Sequence, residues 1–298
     1  MPYLNDVTFD GISVVVPTYN YRDNLRRTLD SLCQQTFSAS QFEVIVADDG
    51  SSDGTEQLVA SYQQLLNIRY AYQEDAGFRV SKARNMGAAL AQFDLLLFFD
   101  AGMIAAPQML AEHYQRHRKH PQLALIGLSY GVNEFSLDCP ELLLQLVDTF
   151  SLSDLFQHLP RYPRLADCRY DFMQALQFDV TSLQHPWVVF WTGHVSCRTA
   201  LFRRLGGFDE WFQSWGGEDV EFGIRLYQQG CRFEILPDQW SLHYPHFKNP
   251  EQKQHDARKN IEYICQKHPD PSVALLRHHN WLDIAKLRNE ASAELQCS

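Results

Sequence analysis

Short apolar runs alternate with helical patterns through the first hundred residues of the chain. Residues 12–16, 42–46, 68–72 and 95–99 have the length and composition of short buried strands. Between the first two runs, Leu25, Leu29 and Leu32 recur at helical spacing. This series predicts an α/β fold, with a mostly parallel central sheet and helices on both faces.

The later pattern continues the series and then departs from it. It predicts strands at 123–128, 187–191 and 233–236, and helices at 108–119, 199–205 and 220–229. The stretch of about 130–186 contains Pro140, Pro160 and Pro163 and is interpreted as a helical insertion over the site, where an acceptor could bind. We expect residues 1–250 to form the main domain and 251–298 a helical extension broken around 269–271.

Charge and composition narrow the class of protein. The formal net charge of −10 over 298 residues gives no support to nucleic-acid binding. An anionic ligand would therefore need local cations or a metal. The longest apolar run, near 95–99, is too short to span a bilayer, and the start of the chain lacks a signal-peptide pattern. None of the seven cysteines forms a CxxC pair, which favours thiols in a reducing cytoplasm.

Three loops at predicted strand ends carry side chains suited to a nucleotide: 18–20, 48–50 and 100–102. Ligands of such sheets bind at the carboxyl ends of the strands. The ring of Tyr19 could stack on a uracil base, and the Asp49 carboxylate could accept a hydrogen bond from its N–H group. A plain strand-to-helix turn with capping would also explain the Asp-Gly-Ser sequence that begins at Asp49.

A cationic segment leads into the helix before the fourth strand. Arg79, Lys82 and Arg84 lie in QEDAGFRVSKARNMGAAL, where they could face a diphosphate near the helix start. A solvated helix face is the alternative. The acidity of the whole chain favours the first interpretation, because an anionic ligand needs local positive charge.

Longer motifs carry a resemblance to a known family. SVVVPTYNYRDNLRRTLDSLCQQTF and EVIVADDGSSDGT resemble the opening of family-two glycosyltransferases. WTGHVSCRTALFRRLGGFDEWFQSWGGEDVEFGIRLYQQG resembles the second half of that catalytic domain, and is similar to chondroitin-polymerase-type and β-1,4-galactosyltransferase domains. The resemblance covers about 11–102 and 188–246. It implies a GT-A fold and an inverting transfer from a UDP-sugar to an acceptor.

The resemblance also implies a donor site and a metal site. Pro17, Tyr19 and Asp49 match the nucleotide-binding positions of the family. Asp100 matches the first acid of its DxD motif, whereas Gly102 replaces the last. A divalent ion, Mn²⁺ or Mg²⁺, would be held by Asp100 and His243, with His246 as a second candidate ligand.

For catalysis, the resemblance implies that Asp219 of the GGED motif is the general base, with Glu218 beside it. Two carboxylates that open a helix could instead serve only its dipole. Flat apolar faces for the acceptor sugar would come from tryptophans near this motif. The expected acceptor-binding residues are Trp191, Trp211, Trp215 and Gly217.

Two other functions remain open on the sequence alone. A sugar-phosphate nucleotidyltransferase would share the general sheet, but its glycine-rich, basic amino-terminal loop is missing from residues 17–20. A non-catalytic sugar- or nucleotide-binding scaffold is favoured only by Gly102, because the acidic residues are otherwise retained. The acceptor could be a polysaccharide end, a secondary metabolite or a peptide side chain.

Overall fold

The computed structural model describes residues 10–132, 140–245 and 250–287, with the backbone alone for 250–254. The amino-terminal half contains the strands β1 (Ile12–Thr18), β2 (Phe42–Asp48), β3 (Ile68–Tyr72) and β4 (Leu95–Phe99), with the helices α1 (Arg22–Leu32), α2 (Thr55–Ser61) and α3 (Val80–Ala89) between them. Strand β1 pairs in parallel with β2 and β4, and β2 with β3. Every residue of β1, β2 and β4 is buried, which explains their continuous apolar sequences.

The second half completes this sheet and adds a smaller one. Its elements are β5 (Met103–Ala105), α4 (Met109–Lys119), β6 (Leu123–Ile126), β7 (Ser129–Tyr130), α5 (Pro140–Thr149), α6 (Leu152–His158), α7 (Tyr170–Ala175), β8 (His194–Arg198), α8 (Thr199–Arg204), α9 (Glu218–Gln228), β9 (Arg232–Ile235) and β10 (Ser241–His243). The seven-stranded sheet has the order β3-β2-β1-β4-β8-β6-β9, and β8 is antiparallel to both neighbours. The smaller sheet has the order β5-β10-β7. The predicted mixed α/β architecture with a mostly parallel central sheet is confirmed.

One predicted strand is wrong. Residues 187–191 do not form a strand, because a short 3-10 helix, Pro186–Val189, occupies this segment. A continuous apolar run identifies burial but cannot distinguish a strand from a helical turn. Pro186, at the first position of that turn, favours the helical form. The strand of this region is β8, whose sequence HVSCR is less apolar.

The carboxyl-terminal helices are α10 (Pro250–Lys267), α11 (Pro271–Ala274) and α12 (Trp281–Lys286), and the break between α10 and α11 falls where the sequence predicts it. Ile264 and Ile284 belong to the same hydrophobic core as Phe98 of the central sheet. These helices therefore pack as part of the main body. Helices α5 and α6 bury leucines in a separate core with Tyr130.

No helix within the described ranges is both long and apolar enough to cross a membrane. The cysteines of those ranges are free thiols: Cys197, Cys231 and Cys265 are buried, Cys168 is half-buried and Cys33 is exposed. The predicted cytoplasmic location stays a prediction.

Candidate active site

A cavity of about 420 Å³ opens at the carboxyl ends of β1, β2 and β4. It brings together residues that lie far apart in the sequence, from Pro17 to Trp281. The sequence-predicted residues in its walls are Pro17, Tyr19, Asp49, Arg84, Asp100, Trp191, Trp215, Gly217, Glu218, Asp219 and His243. The fold thus assembles the predicted nucleotide, metal and catalytic positions around one space.

At the β2 end of the cavity, the two consecutive aspartates have different tasks. Asp48 is fully buried, and its Oδ1 accepts hydrogen bonds from the N–H groups of Gly50 (3.1 Å) and Ser51 (2.8 Å). Its Oδ2 accepts from the Tyr70 hydroxyl at 2.6 Å. Asp48 therefore shapes the strand-to-helix turn, and this leaves Asp49 in the cavity wall.

Asp49 is held by its neighbours in a fixed orientation. Its Oδ1 accepts from Gln73 Nε2 at 2.6 Å and from Arg79 Nη2 at 2.9 Å, and its Oδ2 accepts from the Arg79 backbone N–H at 2.8 Å. Tyr19 is 47% exposed at the cavity, and its hydroxyl donates to Asp75 at 2.8 Å. The ring of Tyr19 thus keeps an accessible face, while Asp49 Oδ2 keeps one acceptor position.

Arg84 links two carboxylates of the cavity. Its Nη2 donates to both oxygens of Asp100 (3.0 and 3.1 Å), and its Nη1 donates to Glu218 Oε1 at 2.9 Å. Burial lowers the pKa of Arg84, but the charges of Asp100 and Glu218 outweigh that effect and raise it above its ordinary value. The guanidinium is thus a permanent structural cation. Glu218 Oε2 is buried and has no hydrogen-bond partner among the described residues.

Asp219 follows Glu218 in the first turn of α9. Its Oδ2 accepts from the Thr192 N–H at 3.1 Å, and its Oδ1 accepts from the Val220 N–H at 2.8 Å. Burial, followed by the negative charge of Glu218, raises the pKa of Asp219 to about 7. A carboxylate with this proton affinity is suited to general-base chemistry near neutral pH.

Two glycines before α9 explain part of the GGED motif. Gly216 and Gly217 have φ angles of 91° and 97°, a left-handed region that other residues rarely adopt. A Cβ at Gly217 would also lie 3.0 Å from Ile264 Cδ1. The glycines therefore allow the abrupt turn that begins the helix with Glu218 and Asp219 at the cavity.

Arg169 and Trp281 are among the cavity-wall residues that sequence reasoning missed. Arg169 is buried in a two-point pair with Asp167 (2.7 and 2.8 Å), and its guanidinium carbon lies 4.4 Å from the ring centroid of Trp191. Arg169 comes from the insertion and Trp281 from α12. No motif surrounds either residue, so only the tertiary structure identifies them.

The predicted metal ligands Asp100 and His243 share the cavity, because β10 pairs with β5 and sets His243 opposite Met103. His246 lies outside the described residues. No cluster of three or more His, Cys, Asp or Glu side chains within the described ranges is arranged to hold a metal ion. A metal there would have to complete its coordination with oxygens of a ligand.

Three predicted residues lie elsewhere. Lys82 is exposed on α3, outside the cavity walls. Arg79 lies behind Asp49, with its guanidinium directed to that carboxylate. Trp211 stacks on Tyr263 with a centroid distance of 3.7 Å, so one face of its ring is covered by α10. None of the three lines the described cavity.

Comparisons with known proteins agree with the fold. Residues 13–180 match the family model for glycosyl transferase family 2, and residues 174–250 match the model for the N-terminal domain of galactosyltransferase. The chain is 39% identical over 259 residues to a validoxylamine A glucosyltransferase of Streptomyces hygroscopicus subsp. jinggangensis, which covers 87% of the chain. The chain spans 61% of that relative and 57% of its counterpart from subsp. limoneus.

Two solved structures share the architecture at low sequence identity. A mannosyltransferase from Pyrobaculum calidifontis, in complex with GDP-Man and Mn²⁺, has a TM-score of 0.60 at 18% identity, covering 98% of this chain and 81% of that one. TarS 1-349 of S. aureus, in complex with UDP-GlcNAc, has a TM-score of 0.58 at 20% identity, covering 90% and 70%. These two likenesses concern the fold alone.

Proposed function

Because this chain belongs to glycosyltransferase family 2, we propose that it is an inverting glycosyltransferase that moves a hexose from a UDP-sugar to an acceptor hydroxyl. The observation that carries the proposal is the placement of Asp219. A carboxylate of raised pKa lines the same cavity as Tyr19, Asp49 and Asp100. The proposed general base, the proposed nucleotide-binding residues and a candidate metal ligand thus line the cavity in which one donor molecule would bind.

The reaction requires one displacement. The acceptor oxygen attacks the anomeric carbon while its proton passes to Asp219, and the bond from that carbon to the phosphate oxygen breaks. Attack from the face opposite the leaving UDP inverts the configuration. Glu218 Oε2, buried and unpartnered among the described residues, is available to accept a hydrogen bond from a sugar hydroxyl. Trp191, Trp215 and Trp281 offer apolar ring faces around the acceptor.

A divalent metal fits this site if the donor supplies ligands as well. Arg79, Arg84 and Arg169 are each paired with a carboxylate, so the charge of a diphosphate is not met by these arginines. Asp100 and His243 would hold the ion together with phosphate oxygens. When bound, Mn²⁺ or Mg²⁺ would neutralise the departing UDP. The Pyrobaculum calidifontis mannosyltransferase, which shares the fold, is in complex with Mn²⁺, so Mn²⁺ is the first ion to test.

The names of similar proteins suggest which donor sugar and which acceptor to test first. The name of the Streptomyces relatives supports glucose as the first sugar to test and validoxylamine A as the first acceptor. Oligosaccharides and hydroxyl-bearing peptides are the other acceptor classes. We place the activity in the cytoplasm, in keeping with the free thiols of the described cysteines.

The test incubates the protein with UDP-glucose, Mn²⁺ and each acceptor, and follows UDP release and glycoside formation by mass spectrometry. The proposal predicts equimolar UDP and glycoside, with inverted anomeric configuration by NMR, and loss of activity in excess chelator. Retained configuration would contradict the mechanism. UTP formed from UDP-glucose and pyrophosphate would indicate a nucleotidyltransferase, and UDP binding without turnover on any acceptor would indicate a scaffold.

A further inference from the structure

The loop of residues 209–217, here called the GGED loop, leads from α8 towards the helix that carries Asp219. It has no regular secondary structure, and its last two residues are the left-handed glycines Gly216 and Gly217. Glycine backbones have many accessible conformations, so the loop needs an external partner to hold one of them. Trp215 of this loop lines the cavity.

The partner is Asn260, in the middle of α10. Asn260 is 1% exposed. Its Nδ2 lies 2.7 Å from the carbonyl oxygen of Gly216, 3.2 Å from that of Trp215 and 3.4 Å from that of Ser214. Its Oδ1 accepts a hydrogen bond from Ser214 Oγ at 3.2 Å. One buried amide group therefore holds three consecutive residues of the loop.

The beginning of the loop is attached to the same helix. Asp209 Oδ2 accepts from the Tyr263 hydroxyl and from Lys267 Nζ, each at 2.6 Å. The ring of Tyr263 lies 3.7 Å from that of Trp211, and the two planes are within 7° of parallel. Helix α10 thus contacts the GGED loop at its start as well as at its end.

The first turns of α9 are attached to α10 too. Glu221, two positions after Asp219, is fully buried. Its Oε1 lies 2.7 Å from Lys267 Nζ and 2.9 Å from His268 Nε2. The segments before and after Asp219 therefore both rest on α10, whereas the donor-side residues Tyr19 and Asp49 are held by contacts within residues 10–132.

We propose that Asn260 is a positioning residue for the transfer reaction, and that helix α10 fixes the GGED loop so that Asp219 and Trp215 meet the acceptor in a productive geometry. This inference rests on the proposed function. Since Asn260 does not line the cavity, it acts through the loop. A displacement of about 1 Å at a reacting group can cost roughly 100-fold in rate.

The test compares Asn260→Ala with Cys265→Ala. Cys265 is also buried on α10, but it faces Val273 of α11, with Sγ 3.5 Å from that carbonyl oxygen. We expect Asn260→Ala to lower kcat by about tenfold or more, to raise the acceptor KM and to leave the Kd for UDP with Mn²⁺ within twofold. Cys265→Ala should keep kcat within twofold below its melting temperature.

Hydrogen exchange supplies a readout that does not need turnover. In Asn260→Ala, the amides of 214–219 should exchange at least tenfold faster, while those of 49–52 remain unchanged. If the parent shows no transfer, this exchange pattern still tests the positioning of the loop separately from the proposed function.

Three results would overturn the inference: unchanged kcat in folded Asn260→Ala, an equal loss in Cys265→Ala, or unchanged exchange at 214–219. If Asn260→Ala does not fold, Ser214→Ala removes the loop's hydroxyl bond to Asn260 Oδ1. It should then accelerate exchange at 214–219 by a few-fold, and an unchanged rate there would contradict the inference.

Discussion

At the scale of single residues, the proton affinity of Asp219 is set by its surroundings more than by its type. Burial disfavours its charged form, and Glu218 adds repulsion, whereas Arg84 and two backbone N–H groups act in the opposite direction. Glu218 is itself paired with Arg84 through Oε1. The carboxylate of Asp219 therefore takes up a proton at a higher pH than an ordinary aspartate.

The first prediction concerns the pH profile of transfer. Since the base acts in its deprotonated form, kcat/KM for the donor should fall about tenfold per unit below a midpoint near the pKa of Asp219, about 7. Glu218→Gln removes a neighbouring negative charge while its amide oxygen can still accept from Arg84. That variant should move the midpoint to lower pH. A midpoint that stays in place or rises would contradict the assignment of the base.

A second residue-scale prediction concerns Gly102, which stands where the family usually has an acid. Its φ is 93°, and a Cβ there would lie 3.1 Å from Tyr21 Cε1, towards α1. Gly102→Asp and the matched Gly102→Ala should each cost about 1–3 kcal/mol of unfolding free energy. Neither should tighten Mn²⁺ binding, measured by calorimetry in the presence of UDP. Tighter binding in the aspartate variant alone would show that the site accepts a second carboxylate beside Asp100.

At the scale of elements, a buried polar chain joins α4 to both sheets. His117 Nε2 and His113 Nδ1 lie 2.8 and 2.7 Å from Ser196 Oγ, and His113 Nε2 lies 2.8 Å from His194 Nε2. His194 Nδ1 then reaches Ser241 Oγ at 2.7 Å. Burial lowers the pKa of each of these histidines, to about 3 for His113. These three histidines are therefore uncharged in the folded protein.

The third prediction follows from that neutrality. Below about pH 6.5, these histidines bind protons in the unfolded state but not in the folded state. The free energy of unfolding therefore decreases as the pH falls. Between pH 7.5 and 5.5, each buried histidine should lower the free energy of unfolding by about 1.4 kcal/mol. His117→Phe should reduce this loss by about that amount in urea unfolding, and the exposed control His279→Gln should not. Equal pH dependence in the parent and His117→Phe would contradict the account.

Elements were more predictable than their arrangement. Period and composition located β1 to β4 and most helices, since local pattern follows burial. They failed at 187–191, where Pro186 starts a buried helical turn. Motifs pointed to Asp49, Asp100 and Asp219, but no local signal marks Asn260 or Arg169. The backbone carbonyl groups that Asn260 contacts lie 44 to 46 residues before it in the sequence. Long-range polar contacts of this kind leave no periodic trace in the sequence.

At the scale of the whole molecule, the proposed function requires a protein of net charge −10 to bind an anionic donor at the carboxyl edge of its sheet. The arginines near the cavity are already paired with carboxylates, so the proposal assigns the remaining compensation to a metal. The fourth prediction is that UDP with Mn²⁺ stabilises the protein, by about 2.7 kcal/mol at 100 times the Kd. Mn²⁺ alone should add much less. Equal stabilisation by UDP with and without Mn²⁺ would contradict the metal's role.

The central claim is that Asp219 deprotonates the acceptor in a UDP-sugar-dependent transfer, and the most direct measurement is glycoside formation by Asp219→Asn. The asparagine can still accept from the Thr192 N–H, and the exposed Asp171→Asn serves as control. The account predicts that Asp219→Asn loses roughly 10²–10⁴-fold in kcat, keeps the stabilisation by UDP with Mn²⁺, and differs from a fully active Asp171→Asn. Transfer by Asp219→Asn within a few-fold of the parent would contradict it.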